Sequence, residues 1–289
     1  MGPLGVIMDL RDRRRYYAEE IQVIARIRTP ALVEALATVP REKFLPSGPW
    51  LIRSEIDYGG GPRQTPDGDP RHVYHNVAIA IDPDRQLFNG APSLLSICID
   101  ALGLTADTRA LHVGCGTGYY TSLIAHTIGR DGSVTAFDID SSLAGTARSN
   151  LSDVPWVEVR HGNGTDVAPN SIDAILVNAG VTHPHESWLE ALRPGGRLLV
   201  PLTFTTPPMG PIGKGVMALV TRNGDAWDAR VVTMVAIYSA IDLRDDRMND
   251  RLRDAFMKSM MPSFSRMRRD AHDPSATCWL HGDTFCFSA

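Results

Sequence analysis

A glycine-rich turn constrains the fold of this chain more than any other feature of its sequence. An apolar run over residues 110–113 leads into Gly114, Gly116 and Gly118, and a segment of helical composition follows over residues 119–128. Glycines between a strand and a helix allow a tight turn and let a ligand approach the free N–H groups at the helix start. The pattern therefore predicts a small-molecule site at the end of a buried strand.

An acidic residue lies where such a site needs one. Asp138 follows Gly118 by twenty residues and ends the next predicted strand. A carboxylate there can accept hydrogen bonds from both hydroxyls of a ribose, so we expect a cofactor of the adenosine type. The G-x-G-x-G spacing differs from the dinucleotide pattern G-x-G-x-x-G, and no lysine follows the turn as it would in a P-loop. The spacing disfavours an NAD-dependent dehydrogenase and excludes a P-loop protein.

Composition is that of a globular protein. The 289 residues include 43% hydrophobic and 21% charged residues, and the net charge of −4 gives no general attraction to nucleic acid. We find no apolar stretch of membrane-spanning length and no signal peptide, so we expect no membrane partner. The four cysteines lack C-x-x-C spacing, which favours a reducing cytoplasm, no metal site, and free thiols rather than a disulfide at Cys278 and Cys286.

Apolar strands alternate with helical segments through the middle of the chain, which predicts parallel β-strands in βαβ units. The expected strands cover residues 109–113, 133–137, 156–160, 172–177 and 196–201. Two further runs, 215–222 and 229–240, flank Asn223-Gly224-Asp225 and predict an antiparallel hairpin.

Helical segments are expected on both sides of this region. Periodic residues over 12–38 are interrupted at Pro30, a buried helix is expected over 92–102, and an amphipathic helix over 245–260. Glycine and proline over 52–71 predict an exposed, mobile loop insertion.

Several segments, in order and at sensible spacing, resemble protein-L-isoaspartate O-methyltransferases. The resemblance covers roughly residues 30–203. It rests on Val39-Pro40-Arg41-Glu42-Lys43-Phe44-Leu45-Pro46, the glycine turn, Gly162-Asn163-Gly164, Asp173-Ala174-Ile175-Leu176-Val177-Asn178-Ala179, and the segment from Leu192 to Pro201.

The resemblance implies an α/β, Rossmann-like class I methyltransferase. Its sheet would be mostly parallel and seven-stranded, with an antiparallel last strand and helices on both faces. The methyl donor would be S-adenosylmethionine (SAM), leaving S-adenosylhomocysteine. We expect an N-terminal helical, substrate-side segment over 1–104, a SAM-binding domain over 105–240, and a C-terminal helical extension over 241–289.

The sequence departs from the family pattern on the substrate side. The family's T-I-S-Q-P segment corresponds to residues 87–92, where Asn89 stands near the position of the serine. The family's Y-x-D appears as Tyr74-His75-Asn76 without its acid. His112 replaces the acid that precedes the glycine turn, and Asn163 replaces the acid of the family's G-D-G. The segments expected to bind the cofactor thus follow the family pattern, whereas those expected to bind the substrate depart from it.

Specific residues are expected at the cofactor. The three glycines should border the amino-acid half of SAM, Asp138 the ribose, and Ile139 the adenine. The amide of Asn163 suits the adenine edge, and Asn178 ends the fourth strand, where open α/β sheets bind ligands. His112 is either a pH-sensitive contact beneath the cofactor or an ordinary buried histidine.

Catalytic residues are harder to assign, and only Asn89 and His183 are candidates. A metal site is one interpretation of the segment that contains His183, His185 and Glu186. The segment lacks H-E-x-x-H spacing, however, and Pro184 interrupts it. We therefore expect a loop at the rim of the site, with His183 as a candidate base.

The predicted function is O-methylation of a carboxylate on a peptide or protein. Two alternatives stay open: a specialised methyltransferase for a small metabolite or biosynthetic peptide, and a SAM-binding protein without transfer activity. A homodimer is one option for the oligomeric state.

Overall fold

The computed structural model describes residues 9–54, 61–207 and 210–289. Its helices are α1 (Leu10–Ala25), α2 (Pro30–Thr38), α3 (Pro92–Ala101), α4 (Tyr119–Ile128), α5 (Ser141–Asn150), α6 (Glu186–Ala191) and α7 (Asp246–Lys258). Its strands are β1 (Leu51–Arg53), β2 (Arg63–Gln64), β3 (Ala78–Asp82), β4 (Leu87–Phe88), β5 (Arg109–Val113), β6 (Ser133–Asp138), β7 (Val157–His161), β8 (Ile172–Val177), β9 (Leu192–Phe204), β10 (Ile212–Asn223), β11 (Ala226–Tyr238), β12 (Arg266–Arg268), β13 (Cys278–His281) and β14 (Cys286–Ser288).

The large sheet confirms the predicted α/β class. Its order is β13-β14-β12-β11-β10-β9-β8-β5-β6-β7, and β7, β6, β5, β8 and β9 run parallel to one another. Strand β10 is antiparallel to both β9 and β11. The seven expected strands, β5 to β11, are therefore present, and three more extend the sheet beyond β11. The strand that runs against the parallel ones is β10, the sixth of the seven, whereas the last strand was expected to do so.

The first two helices begin and end where local chemistry dictates. The carboxylate of Asp9 accepts a hydrogen bond from the N–H of Asp12 and so caps the start of α1. Arg26 ends that helix in the left-handed conformation, and Pro30 opens α2 at a position that tolerates proline. The predicted break at Pro30 is confirmed.

Residues 61–71 are mostly exposed, as expected for the insertion over 52–71, but its described residues are not a plain loop. Strand β1 pairs with β2 and with β3, and a small sheet of order β2-β1-β3-β4 results. The hydroxyl of Thr65 is buried, accepts from the N–H of Trp50 at 2.9 Å, and donates to the carbonyl of Asp67. Because these polar groups are paired within the chain, the segment is tied to the small sheet; its mobility stays a prediction, and residues 55–60 lie outside the described ranges.

The C-terminal extension contains more than the expected helix. After α7, strands β12, β14 and β13 add an antiparallel edge to the large sheet. Phe256, Phe264 and Phe287 are buried with the residues of the neighbouring strands. The extension is therefore joined to the core by a shared apolar layer.

Two apolar clusters lie against the large sheet. One joins α1–α4 to the sheet and includes Tyr17, Leu36 and Leu123. The other surrounds Trp188 and includes residues from α6 and α7. The division into segments 1–104, 105–240 and 241–289 stays a prediction. Within the described ranges, every helix is too short or too polar to traverse a lipid bilayer.

Candidate active site

A cavity of about 520 Å³ opens at the carboxyl ends of β5, β6 and β8. Gly114 follows β5, Asp138 ends β6, and Asn178 follows β8, so three predicted residues from distant parts of the chain meet there. The loop after each strand of a parallel sheet emerges at the same edge, which explains this convergence. Segments from the small sheet, including β4, form the opposite wall.

The glycine turn shapes the floor of the cavity. The N–H groups of Gly114 and Cys115 both donate to the carbonyl of Phe137, which fixes the turn against β6. A Cβ on Gly114 would lie 3.1 Å from the carbonyl oxygen of Asn178, and one on Gly116 would lie 3.2 Å from Ile81. Both glycines thus leave open a space that a side chain would fill.

Gly118 has a different task from the other two glycines. Its φ of 99° is one that side chains rarely adopt, and a Cβ there would lie 2.9 Å from Leu151 Cδ1. The residue is absent from the described cavity wall. Gly118 therefore permits the packing of α4 against the end of α5 and does not border the cavity as expected.

Asp138 is positioned by the turn that it supports. One carboxylate oxygen accepts from the N–H of Gly116 at 2.7 Å, and the other accepts from the N–H of Asp140 at 3.0 Å. Burial raises the pKa of this carboxyl group, while the two backbone hydrogen bonds lower it less strongly. Each oxygen keeps further acceptor capacity toward the cavity. Ile139 lies beside it in the same wall.

An ion pair at the mouth of the cavity was not foreseen from the sequence. Arg85 donates to Asp82 at 2.7 Å and to Asp140 at 2.5 Å. Asp140 also caps α5 by accepting from the N–H groups of Ser142 and Leu143. The pair joins the segment between β3 and β4 to the start of α5. A separation of 55 residues left no local signal for it.

Asn178 and Asn163 occupy different surroundings. The side chain of Asn178 donates to the carbonyl of Gly114 at 3.4 Å and lines the cavity. The side-chain oxygen of Asn163 accepts from the backbone and hydroxyl of Thr165 in the turn after β7. Asn163 does not line the described cavity, so the geometry adds nothing to its proposed contact with adenine.

His112 is fully buried and lies outside the described cavity wall. Its Nδ1 is 2.8 Å from the hydroxyl of Thr121, and its Nε2 is buried without a partner among the described residues. Burial lowers the pKa of His112 to about 3, so the ring is neutral near pH 7. Of the two interpretations of this residue, the geometry favours the buried structural histidine.

The second catalytic candidate, His183, also lies away from the described cavity wall. Its ring stacks on Phe285, with 6.3 Å between centroids, and its Nδ1 is 2.9 Å from the hydroxyl of Thr182. His185 caps α6 by accepting from the N–H of Ser187, and Glu186 pairs with Arg269. The segment is thus engaged in packing and capping, and His183 is not placed to act as a base in the cavity.

Asn89 does line the cavity, and its neighbours fix its orientation. Its side-chain oxygen accepts from the N–H of Ile79 at 3.0 Å, so that atom is the oxygen and the other is the amide nitrogen. The nitrogen, Nδ2, is buried and has no hydrogen-bond partner among the described residues. Such a donor is costly to leave unpaired, which marks it as a candidate contact for a ligand.

A buried arginine supports this part of the wall. Arg41 is fully buried and donates to the carbonyls of Val73 and Val77, each at 2.8 Å, and of His75 at 3.1 Å. Its guanidinium also lies 3.5 Å from the side-chain oxygen of Asn89. The arginine thus holds the approach to β3 in place behind Asn89.

Comparison with known proteins identifies the family. Residues 64–224, more than half of the chain, match the family model described as protein-L-isoaspartate(D-aspartate) O-methyltransferase. The chain is 31% identical over 217 residues to the protein-L-isoaspartate O-methyltransferase of Methylorubrum extorquens (strain PA1), covering 73% of this chain and 81% of the relative. It is 29% identical over 197 residues to that of Methanopyrus kandleri, covering 66% and 77%.

Solved structures support the fold. A protein-L-isoaspartate O-methyltransferase structure has a TM-score of 0.57 at 18% identity and covers 90% of this chain and 73% of its own. The enzyme of Plasmodium falciparum, solved in complex with S-adenosyl-L-homocysteine, also has a TM-score of 0.57, at 17% identity, and covers 79% and 98%. The predicted class I fold, cofactor and family are confirmed. The chain belongs to the protein-L-isoaspartate(D-aspartate) O-methyltransferase family of SAM-dependent methyltransferases.

Proposed function

We propose that this protein transfers the methyl group of SAM to a carboxylate of a peptide or protein, in the cavity between the large and small sheets. Gly114 and Gly116 would border the amino-acid half of SAM, Asp138 the ribose and Ile139 the adenine. The residues present fit this cofactor, because the two glycines leave room and the carboxylate keeps acceptor capacity. When bound, SAM supplies an electrophilic methyl group.

The observation that carries the choice of acceptor is the lack of a free base among the described residues of the wall. An amine or a phenol must lose a proton before it attacks, whereas a carboxylate is already ionised near pH 7. Among the residues that the structure describes, the wall contains no histidine. The two carboxylates of the described wall are engaged: Asp138 accepts two backbone N–H groups, and Asp140 pairs with Arg85.

The remaining titratable groups of the wall are poor bases. The hydroxyl of Tyr120 donates to the carbonyl of Gly90, and that of Tyr238 donates to the carbonyl of Gln86. Burial raises the pKa values of Tyr119, Tyr238 and the Cys115 thiol. Groups that hold their protons this firmly do not deprotonate an acceptor at neutral pH, so an acceptor that needs no base fits the cavity best.

Two groups of the wall suit an incoming carboxylate. The free Nδ2 of Asn89 can donate one hydrogen bond to it. Arg53, whose guanidinium lies 4.5 Å from the centre of the Phe88 ring, lines the same cavity and carries a positive charge. Asn89 is therefore proposed as a positioning residue that orients the acceptor and takes no proton.

Apolar side chains supply the rest of what methyl transfer requires. Ile81, Leu87, Ile212, Ile237 and Ile241 line the cavity. An in-line displacement depends on alignment of donor and acceptor, and exclusion of water prevents wasteful hydrolysis and strengthens the polar contacts. Within this proposal, Asn89 and Arg53 align the acceptor and the aliphatic wall excludes water.

The acceptor itself is expected to differ from a standard isoaspartyl peptide. Residues 87–92, where the family's serine is missing, form β4 and the start of α3 and contribute directly to the cavity wall. We propose weak or no methylation of an isoaspartyl peptide and a preference for another carboxylate. Experiment must decide between this proposal and a small-metabolite acceptor, and whether the protein forms a homodimer.

The experiment uses SAM with a labelled methyl group and a panel of acceptors: an isoaspartyl peptide, its normal aspartyl counterpart and host protein extract. A carboxyl methyl ester releases volatile methanol in mild base, whereas methylated amines and phenols do not. Base-labile label is expected. Base-stable label would refute a carboxylate acceptor, and efficient isoaspartyl-selective turnover would refute the proposed divergence. SAM binding without transfer to any acceptor would support the binding-protein alternative.

A further inference from the structure

Four potential metal ligands come together at the C-terminal edge of the large sheet. His272 lies in the loop after β12, Cys278 and His281 are the two ends of β13, and Cys286 begins β14. One ligand atom from each side chain lies within 4.8 Å of all the others. Strand pairing places His281 opposite Cys286, so the hairpin itself builds half of the cluster.

The distances suit a tetrahedral ion. Zinc bonds of about 2.3 Å to sulfur and 2.0–2.1 Å to nitrogen imply ligand–ligand distances of about 3.3–3.8 Å in a regular tetrahedron. The Cys278 sulfur lies 3.7 Å from Nε2 of His272. The 4.8 Å limit on the whole set leaves about 1 Å for the ligands to draw together around an ion.

Hydrogen bonds orient two of the ligand residues, His272 and Cys278, for metal binding. Nδ1 of His272 lies 2.8 Å from the carbonyl of Asp270. A carbonyl can only accept, so this nitrogen carries the proton and Nε2 presents its lone pair toward the Cys278 sulfur. The N–H of Ser275 lies 3.3 Å from the same sulfur and donates to it, as a backbone amide can to a thiolate.

A third ligand is left without a partner. Nδ1 of His281 is buried and forms no hydrogen bond with any described residue. Both cysteines are free thiols, and Cys286 is fully buried. A cluster of two thiols and two imidazoles with an unsatisfied buried nitrogen is better explained by a bound ion than by packing alone.

We propose that His272, Cys278, His281 and Cys286 form a structural zinc site of the Cys₂His₂ type. Four protein ligands close the coordination sphere, so the ion serves stability and not catalysis. It fixes the loop over residues 269–277 to the terminal hairpin. The absence of C-x-x-C spacing argued against zinc in the sequence. The four ligands instead follow the pattern H-x₅-C-x₂-H-x₄-C, and the hairpin register shows that they converge.

The first test measures metal in the full-length protein after removal of any affinity tag. Elemental analysis is expected to find one zinc ion per chain. Replacement of the ion by Co²⁺ should give the visible bands of tetrahedral coordination and a sulfur-to-cobalt charge-transfer band. Cys278→Ser and His272→Ala should bind less than a tenth of the wild-type metal, whereas Cys98→Ser, which changes a buried thiol in α3, should keep the full amount.

Two results would overturn the proposal even if the variants failed to fold. One is wild-type protein, prepared with zinc in the medium, that contains no stoichiometric metal and gives no tetrahedral cobalt spectrum. The other is a Cys278–Cys286 disulfide found by peptide mapping in protein purified under reducing conditions.

Discussion

Replacement of Asp138 by alanine separates the two tasks of this carboxylate. In the folded protein it accepts hydrogen bonds from the N–H groups of Gly116 and Asp140, and it is only 6% exposed. In the complex it is proposed to bind the ribose of SAM as well. Asp138→Ala should therefore weaken both the turn and the cofactor complex.

The magnitudes follow from the same contacts. Loss of a hydrogen bond to a charged group costs about 1.5–3 kcal/mol. For SAM this corresponds to an affinity about 10- to 150-fold lower. The two backbone N–H groups left without an acceptor should lower the free energy of unfolding by a further ~1–3 kcal/mol, because they are partly buried in the turn.

Calorimetry with S-adenosylhomocysteine measures the first effect, and urea unfolding of the ligand-free protein measures the second. Asp131→Ala, which removes an exposed carboxylate from the turn between α4 and β6, is the matched control and should change neither. Unchanged affinity in a folded Asp138→Ala protein would refute the ribose contact, and tight NAD binding without SAM binding would refute the whole assignment.

Three further predictions concern stability. Burial holds the pKa of His112 near 3, so its contribution to stability is present above about pH 6.5 and is lost as the pH falls. The free energy of unfolding should therefore drop between pH 7 and pH 5. His112→Gln should reduce that drop by about 2 kcal/mol, measured by urea titration at both pH values. Gly118→Ala should lower the unfolding free energy by about 1–3 kcal/mol because of its φ and its contact with Leu151, and an unchanged melting temperature would contradict this. Deletion of residues 245–289 should leave an aggregating protein by size-exclusion chromatography, because it uncovers the apolar layer around Trp188; a monodisperse, cooperatively unfolding product would show that the extension is dispensable.

The parallel part of the fold could be predicted because its signals are local. The glycine turn and Asp138 lie at the ends of strongly apolar strands, and the residues that line the cavity beside them follow from that topology. The small sheet could not, because β1 and β2 are only three and two residues long and their pairing depends on the buried hydroxyl of Thr65. Periodicity cannot be read from so few residues.

The missed parts of the candidate site depend on long-range contacts. Arg85 and Asp140 are paired only because the folded chain places the segment after β3 beside α5. His112 was assigned to the site by sequence position, yet its side chain is buried away from the cavity wall. Position along a strand predicts which end a residue occupies, but side-chain direction decides whether it reaches the ligand.

The cavity has walls from two sheets, and this separates the proposed donor contacts from the proposed acceptor contacts in space. The proposed donor contacts lie on the large sheet, while Asn89 and Arg53 belong to the small one and its connections. Among the described contacts, the Arg85–Asp140 pair and the hydrogen bonds of Tyr120 to Gly90 and of Tyr238 to Gln86 join the two sides. Substitutions in the small sheet can therefore alter the acceptor contacts while the donor contacts stay in place, so a fold of this kind can change its substrate without rebuilding its methyl-donor site.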